Sequence, residues 1–283
     1  MKFAEESVVK IMEKKKLSRR PPAEVRKILR EEVGFGCPVK NCGCPYLEYH
    51  HFDPPWHEKQ HHDPKGMIAL CVTHHKMADS FTFGNKQLRH FKQNPYRNTV
   101  RGRFEWLRND LLIVFAGSIY TNPKYILSII QNDQKKRIIW ITRDDDNNML
   151  LNVSMITRSS EDRAVIIKNN WLKRGNPKNV VCSPSGKKLH IEYTNGDLLG
   201  IEFIVLRNKE KFTRRYQTKS ALEKISYPIT AVEIRYKIGD TNISLTPNHG
   251  KINRTSIKNC KFTGEDGITI LFDEQNDKKP TDN

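Results

Sequence analysis

Apolar positions change their period once along this chain, close to residue 110. Before that point they fall at helical spacings or are sparse. Phe3–Lys15 sets Val8, Val9, Ile11 and Met12 among charges and predicts a short amphipathic helix. Ser18-Arg-Arg-Pro-Pro22 breaks it, and Pro22 suits the first turn of a second helix running to about Glu32. Gly34-Phe35-Gly36 ends that helix. From Cys37 to about Phe91 no long apolar run occurs, and Gln87–Leu107 reads as helical in part, interrupted at Pro95. Past Leu111 the pattern becomes strand-like, with β-branched runs at Arg137–Thr142, Leu150–Ile156, Ala164–Ile167, Leu189–Tyr193, Leu198–Leu206, Ile229–Ile238 and Ile268–Phe272. Asn195-Gly196 between two such runs is a hairpin signal. The expected class is therefore α+β. A basic helical arm (1–32) and a small His/Cys-rich domain with a basic helical extension (33–108) precede a β-rich, sandwich- or barrel-like domain (109–274). A polar tail, residues 275–283, is expected to be disordered.

Charge narrows the class of partner. The chain has 283 residues and a formal net charge of +17, with a pI near 9.6, which points to a polyanion. Residues 1–30 and 86–108 each carry an excess of six positive charges, and they flank the His/Cys-rich segment on both sides. Arg89, Lys92, Arg97, Arg101 and Arg103 are the expected contacts to a DNA backbone, adding salt-dependent affinity rather than sequence reading. No segment reaches the ~18 apolar residues of a membrane span, and residues 1–20 lack a secretory apolar stretch, so a cytoplasmic location is expected.

Seven of the ten histidines lie between His50 and His75, inside a frame of four cysteines. A segment this small buries little core, so a metal staple is expected. Cys37 and Cys42 share a loop, and Cys71 and His74 have the spacing of one turn; together they make a closed Cys3His set for structural zinc. Cys44 is an alternative to Cys42, disfavoured because Pro45 follows it directly. Tyr49-His50-His51-Phe52 should be extended, which sends the two imidazoles to opposite faces. If Cys71–Asp79 begins a helix, His75 and Asp79 share a face. This puts His50, His75 and Asp79 around a second cation and leaves His51 as a general base. Glu48 or a backbone carbonyl could orient the His51 ring. His57, His61 and His62 lie on a Pro-rich loop, where phosphate contact and plain exposure are equally good readings, and Trp56 there could stack on a base or anchor the loop. Asp144-Asp145-Asp146 reads as an exposed turn, and Cys182 and Cys260 as single cysteines without special chemistry.

The pattern Cys37…Cys42…Glu48-Tyr-His50-His51-Phe…Pro54…Gly66-Met-Ile-Ala-Leu70-Cys71-Val-Thr-His74-His75 resembles the HNH endonucleases, the ββα-metal nucleases, over roughly residues 33–92. The resemblance implies hydrolysis of DNA phosphodiester bonds. His51 would activate water, and magnesium or manganese would sit on His50, His75 and, in the manner of colicin-like members, Asp79. Cys37, Cys42, Cys71 and His74 match the zinc-stapled variant. One departure stands out: the middle Asn of the family pattern, which braces the loop carrying the base, falls at Gly66. A bacterial or phage defence or mobile-element setting fits such a chain. The β-rich half is expected to recognise DNA, form a homodimer or dock a regulatory protein partner. The competing reading is a zinc-stapled, non-catalytic DNA-binding or adaptor protein.

Overall fold

The computed structural model describes residues 17–271, except 111–112, 116–117, 122, 132, 159–160, 217–224, 247–248, 258–259 and 264–265. The helix expected at Phe3–Lys15 and the tail from Gln275 lie outside the described residues. The fold is mixed α+β, with few helices and a predominance of strands.

Helix α1 spans Ala23–Glu32, with Pro22 at its N-cap rather than inside the first turn. Glu24 near its start and Arg30 near its end both favour the helix dipole. The chain leaves α1 through Gly34 and Phe35, both at positive φ, where the Phe35 N–H donates to the Arg30 carbonyl at 2.8 Å. Strands β1 (Leu47–His51) and β2 (Met67–Cys71) form an antiparallel hairpin in which Leu47 pairs with Cys71 and His51 with Met67. Helix α2 (Val72–Asp79) follows without a break, and α3 (Asn85–Gln93) closes the unit. Every residue of β2 is buried. It carries a compact core with Leu29, Val33, Leu47, Phe52, Ala78 and Leu88.

The helical reading of Gln87–Leu107 holds only as far as Gln93. Arg101–Arg103 instead forms strand β3, paired antiparallel with Asn170–Leu172. Phe104 and Trp106 then insert beside Phe203, with ring centroids 5.5 and 5.2 Å away. Tertiary pairing here overrides a weak local helix preference.

Among the described residues, the remainder is a β body of two seven-stranded sheets and one of three strands. One large sheet ends on β3 and, at its other edge, takes Asp266–Leu271 parallel to Tyr125–Gln131. The second is an antiparallel meander from Pro177–Cys182 to Thr255–Ile257 in chain order. Residues of both large sheets share one continuous core. Among the described residues no sheet closes into a barrel, so the barrel alternative is set aside. Asn195-Gly196 makes the expected hairpin, with Gly196 at φ +87°. The ββα unit is fastened to this body by a bridge from Tyr46 to Cys182, by the Tyr46 hydroxyl on the Arg103 backbone, and by Arg30.

Candidate metal centre and adjoining cleft

Cys71 ends β2 and caps α2, its sulfur accepting from the His74 N–H at 3.5 Å. One turn therefore delivers both Cys71 and His74. The opposing loop is shaped by positive φ at Asn41 and Gly43 and held by Asn98, whose Nδ2 donates to the carbonyls of Cys37 and Val39 at 3.2 and 2.8 Å. The donor atoms of Cys37, Cys42, Cys71 and His74 all lie within 4.8 Å of one another. Cys42 Sγ sits 3.8 Å from Cys71 Sγ, and His74 Nδ1 3.3 and 3.2 Å from the sulfurs of Cys37 and Cys71. A tetrahedron built on Zn–S bonds of about 2.3 Å has S···S edges of about 3.8 Å, so the set can hold a metal ion such as zinc. Cys44 also reaches Cys71: hydrogen bonds from the thiols of Cys37 and then Cys44 hold the Cys71 thiol far below its ordinary range, while those two donors are pushed up. The four-donor group nonetheless contains Cys42 and not Cys44.

On β1 the strand alternation places Glu48 and His50 on one face and His51 on the other. His75 and Asp79, one turn apart on α2, meet that first face. Asp79 Oδ1 lies 3.1 Å from His50 Nδ1 and Oδ2 lies 3.3 Å from His75 Nδ1. His50, His75 and Asp79 each offer one donor atom within 4.8 Å of the others. Burial, then the His75 charge, lowers the His50 pKa against the pull of Asp79.

His51 is 4% exposed, and neither ring nitrogen has a hydrogen-bond partner among the described residues. Burial first, then neighbouring His61 and His62, lowers its pKa to about 4 against the upward pull of the His61 backbone, so the ring is neutral at pH 7. Glu48, expected as an orienting partner for His51, instead faces His75 at 3.5 Å, because even-numbered β1 residues point away from His51. The ring is positioned by packing: Trp56, His61 and His62 surround it at centroid distances of 4.7, 5.3 and 5.8 Å. His61 is locked in one tautomer, Nδ1 accepting from the Asp63 N–H at 3.1 Å and Nε2 donating to the Pro54 carbonyl at 2.9 Å. Of the loop histidines, His57 is left exposed.

Gly66 has its own role in that loop. Its carbonyl accepts from the N–H groups of Phe52 and Asp53 at 3.0 and 3.2 Å. A Cβ at this position would overlap the Asp53 carbonyl oxygen and meet His61 Cε1 at 2.9 Å. The backbone thus ties down the end of β1, and no side chain fits where Asn was expected.

His50, His51 and Asp79 line one cleft of about 190 Å³, joined by Arg19, Trp56 and Phe81. Phe81 is 83% exposed, and Arg19 lies 3.9 Å from Asp79. The sequence carried no spacing signal for either, because both reach the cleft only through the packing of distant segments. Among the expected DNA contacts, Arg89 pairs with Asp53 and lies over the Phe52 ring. Lys92 pairs with Glu32 and is 14% exposed at its side chain. Arg97, Arg101 and Arg103 are exposed. Among the described residues no helix is long and apolar enough to cross a membrane. No protein-family model, curated protein or solved structure matches the chain.

Proposed function

We propose that this chain is a metal-dependent endonuclease of the HNH type that hydrolyses DNA phosphodiester bonds. One observation carries the reading. A buried, neutral His51 with both ring nitrogens free of partners opens onto the same cleft as His50 and Asp79, two of the three members of the His50–His75–Asp79 donor set. A structural histidine would be satisfied by hydrogen bonds; an unsatisfied one facing a cleft is suited to take a proton from water. In the mechanism His51 accepts that proton on a ring nitrogen, and Trp56, His61 and His62 keep the imidazole in place while it does so. A divalent cation held by His50, His75 and Asp79 would neutralise charge developing on the phosphate and leaving oxygen. Two imidazoles and one carboxylate suit manganese better than magnesium, which favours oxygen ligands. Arg19, on the rim beside Asp79, adds a positive charge where the phosphate enters. Zinc in the Cys3His set would hold β2, α2 and the cysteine loop in register, and the β body would serve recognition or assembly.

Cleavage of supercoiled plasmid with manganese or magnesium tests this. His51→Ala should slow the reaction by about 10²–10⁴-fold while leaving zinc content and DNA affinity unchanged. Absence of cleavage by the wild type on plasmid, single-stranded DNA and RNA would refute the reading and leave the unit as a zinc-stapled binding platform.

A further inference from the structure

A second cavity, of about 660 Å³, lies between the ββα unit and the β body. Its walls come from the segment Arg19–Arg30, from the start of β1, from His75, and from Val181–Pro184 with Lys188. Five cations line it and Glu48 is the one carboxylate among the lining residues. Lys188 is neutralised by Glu202 at 2.8 Å, and Arg19 lies 3.9 Å from Asp79. Arg20, Arg26 and Arg30 have no carboxylate partner among the described residues.

Arg30 decides what the cavity is for. It is 8% exposed, yet its guanidinium receives only neutral company: Tyr49 Oη at 3.0 Å and Asn179 Oδ1 at 3.1 Å. Its Nε is buried without a partner, and so is the Nε of Arg26. A buried guanidinium is almost always paired, because removing its charge from water is costly. Here two neutral acceptors aim the group without cancelling it, which leaves its charge and a donor for an anion. The planar fork of donors matches phosphate oxygens in particular, and the volume falls within the range of small-ligand sites.

We propose that this cavity binds the phosphates of a nucleotide or short oligonucleotide, with Arg30 as the buried anchor and Arg20 and Arg26 supporting it. The inference deepens the nuclease reading and rests on it for the relevance of the cavity to cleavage, since Arg19 lines both cavities. Asn179 belongs to the β body and Tyr49 to β1, so an occupant held by Arg30 would couple the two halves. The phosphates could belong to the strand flanking the scissile bond or to a separate nucleotide.

The test is calorimetric titration of a 5′-phosphorylated thymidine dinucleotide into the full chain. The protein is zinc-loaded and carries His51→Ala, with no divalent cation added, so that neither turnover nor the second cation site enters. One site is expected, weakened at least tenfold by Arg30→Met and by the double variant Arg20→Gln, Arg26→Gln. The double variant carries the test should Arg30→Met fail to fold. Absence of binding at millimolar dinucleotide, an unchanged affinity in the double variant, or equal binding of hexa-aspartate would each overturn the proposal. Competition between dinucleotide and duplex DNA, with a raised KM and steady kcat in the double variant, would assign the phosphates to the flanking strand. Simultaneous binding with an altered kcat would assign them to a separate ligand. Dinucleotide binding without cleavage by the wild type would sink the nuclease reading alone; cleavage without dinucleotide binding would sink this one alone.

Discussion

Two deeply buried polar side chains, one in the β body and one in the ββα unit, are treated in opposite ways. In the body, Asp197 is 1% exposed and its carboxylate receives four donors: Thr157, Arg163 and Asn195 on Oδ2 and the Gly239 N–H on Oδ1. In the ββα unit, His51 is almost as buried and receives none. The cores differ as well. Among the described residues, thirty-two buried ones, Phe35 at the exit of α1 included, form the body's continuous cluster, whereas the smaller unit's cluster has twelve, two of them the candidate metal donors Cys37 and Cys71. A large apolar core can support satisfied polar networks and remain stable. A small one gains more from a metal held by a donor set such as Cys37, Cys42, Cys71 and His74.

The largest effect expected from this contrast concerns the metal. Chelating a zinc ion held by the Cys3His set, or replacing Cys71 with Ser, should unfold the ββα unit, since such sites contribute on the order of 10 kcal/mol to small domains. The body should stay folded. Hydrogen exchange read by mass spectrometry would show lost protection confined to about residues 33–93; a uniform loss across both parts would break the comparison.

Next in size is the buried ion pair of the body. Asp197→Ala leaves Arg163 with Glu161 at 3.1 Å as a remaining carboxylate but strips the Thr157, Asn195 and Gly239 donors of their acceptor, and should cost about 1–3 kcal/mol, measured by urea unfolding. Burial pushes the Asp197 carboxyl up, but the hydrogen bonds from Thr157, Asn195, Gly239 and Arg163 outweigh it and hold the pKa below the ordinary carboxylate range. With the folded pKa depressed, this stabilisation is complete above the unfolded value of about 3.9 and is lost as pH falls through the folded value. The Tm of the wild type should therefore drop on acidification below about pH 4, and that component of the drop should vanish in Asp197→Asn.

A comparable effect is expected at Gly66. Gly66→Asn, which would introduce the Asn of the HNH pattern, should destabilise the unit by about 1–3 kcal/mol and, on the proposed function, reduce cleavage, because its Cβ collides with the Asp53 carbonyl. A gain in activity would show that the backbone tie is no substitute for the side chain. Smallest are the surface arginines. On the proposed function, Arg101→Ala or Arg103→Ala should each lower the salt slope of DNA binding by about one. Lys92→Ala should change it less, since Glu32 already neutralises that charge.

Much of the candidate site follows from local spacing. The three-residue step from Cys71 to His74 and the four-residue step from His75 to Asp79 are turns of one helix, so their shared faces need no tertiary information. The alternation at His50 and His51, and the runs Leu198–Leu206 and Ile229–Ile238, were legible for the same reason: a strand's period is set by its own backbone. The tertiary structure decided what depends on residues far apart in the chain. Arg101-Gly-Arg103 became a strand because Asn170–Leu172 offered an edge. Glu48 turned to His75, and Gly66 was confined to glycine by Asp53 and His61. Arg30, unremarkable on a basic helix, became a buried cation because Asn179 lies 149 residues away in sequence and 3.1 Å away in space. Periodicity determines which face a side chain takes; only packing decides what meets it there and whether its charge is answered.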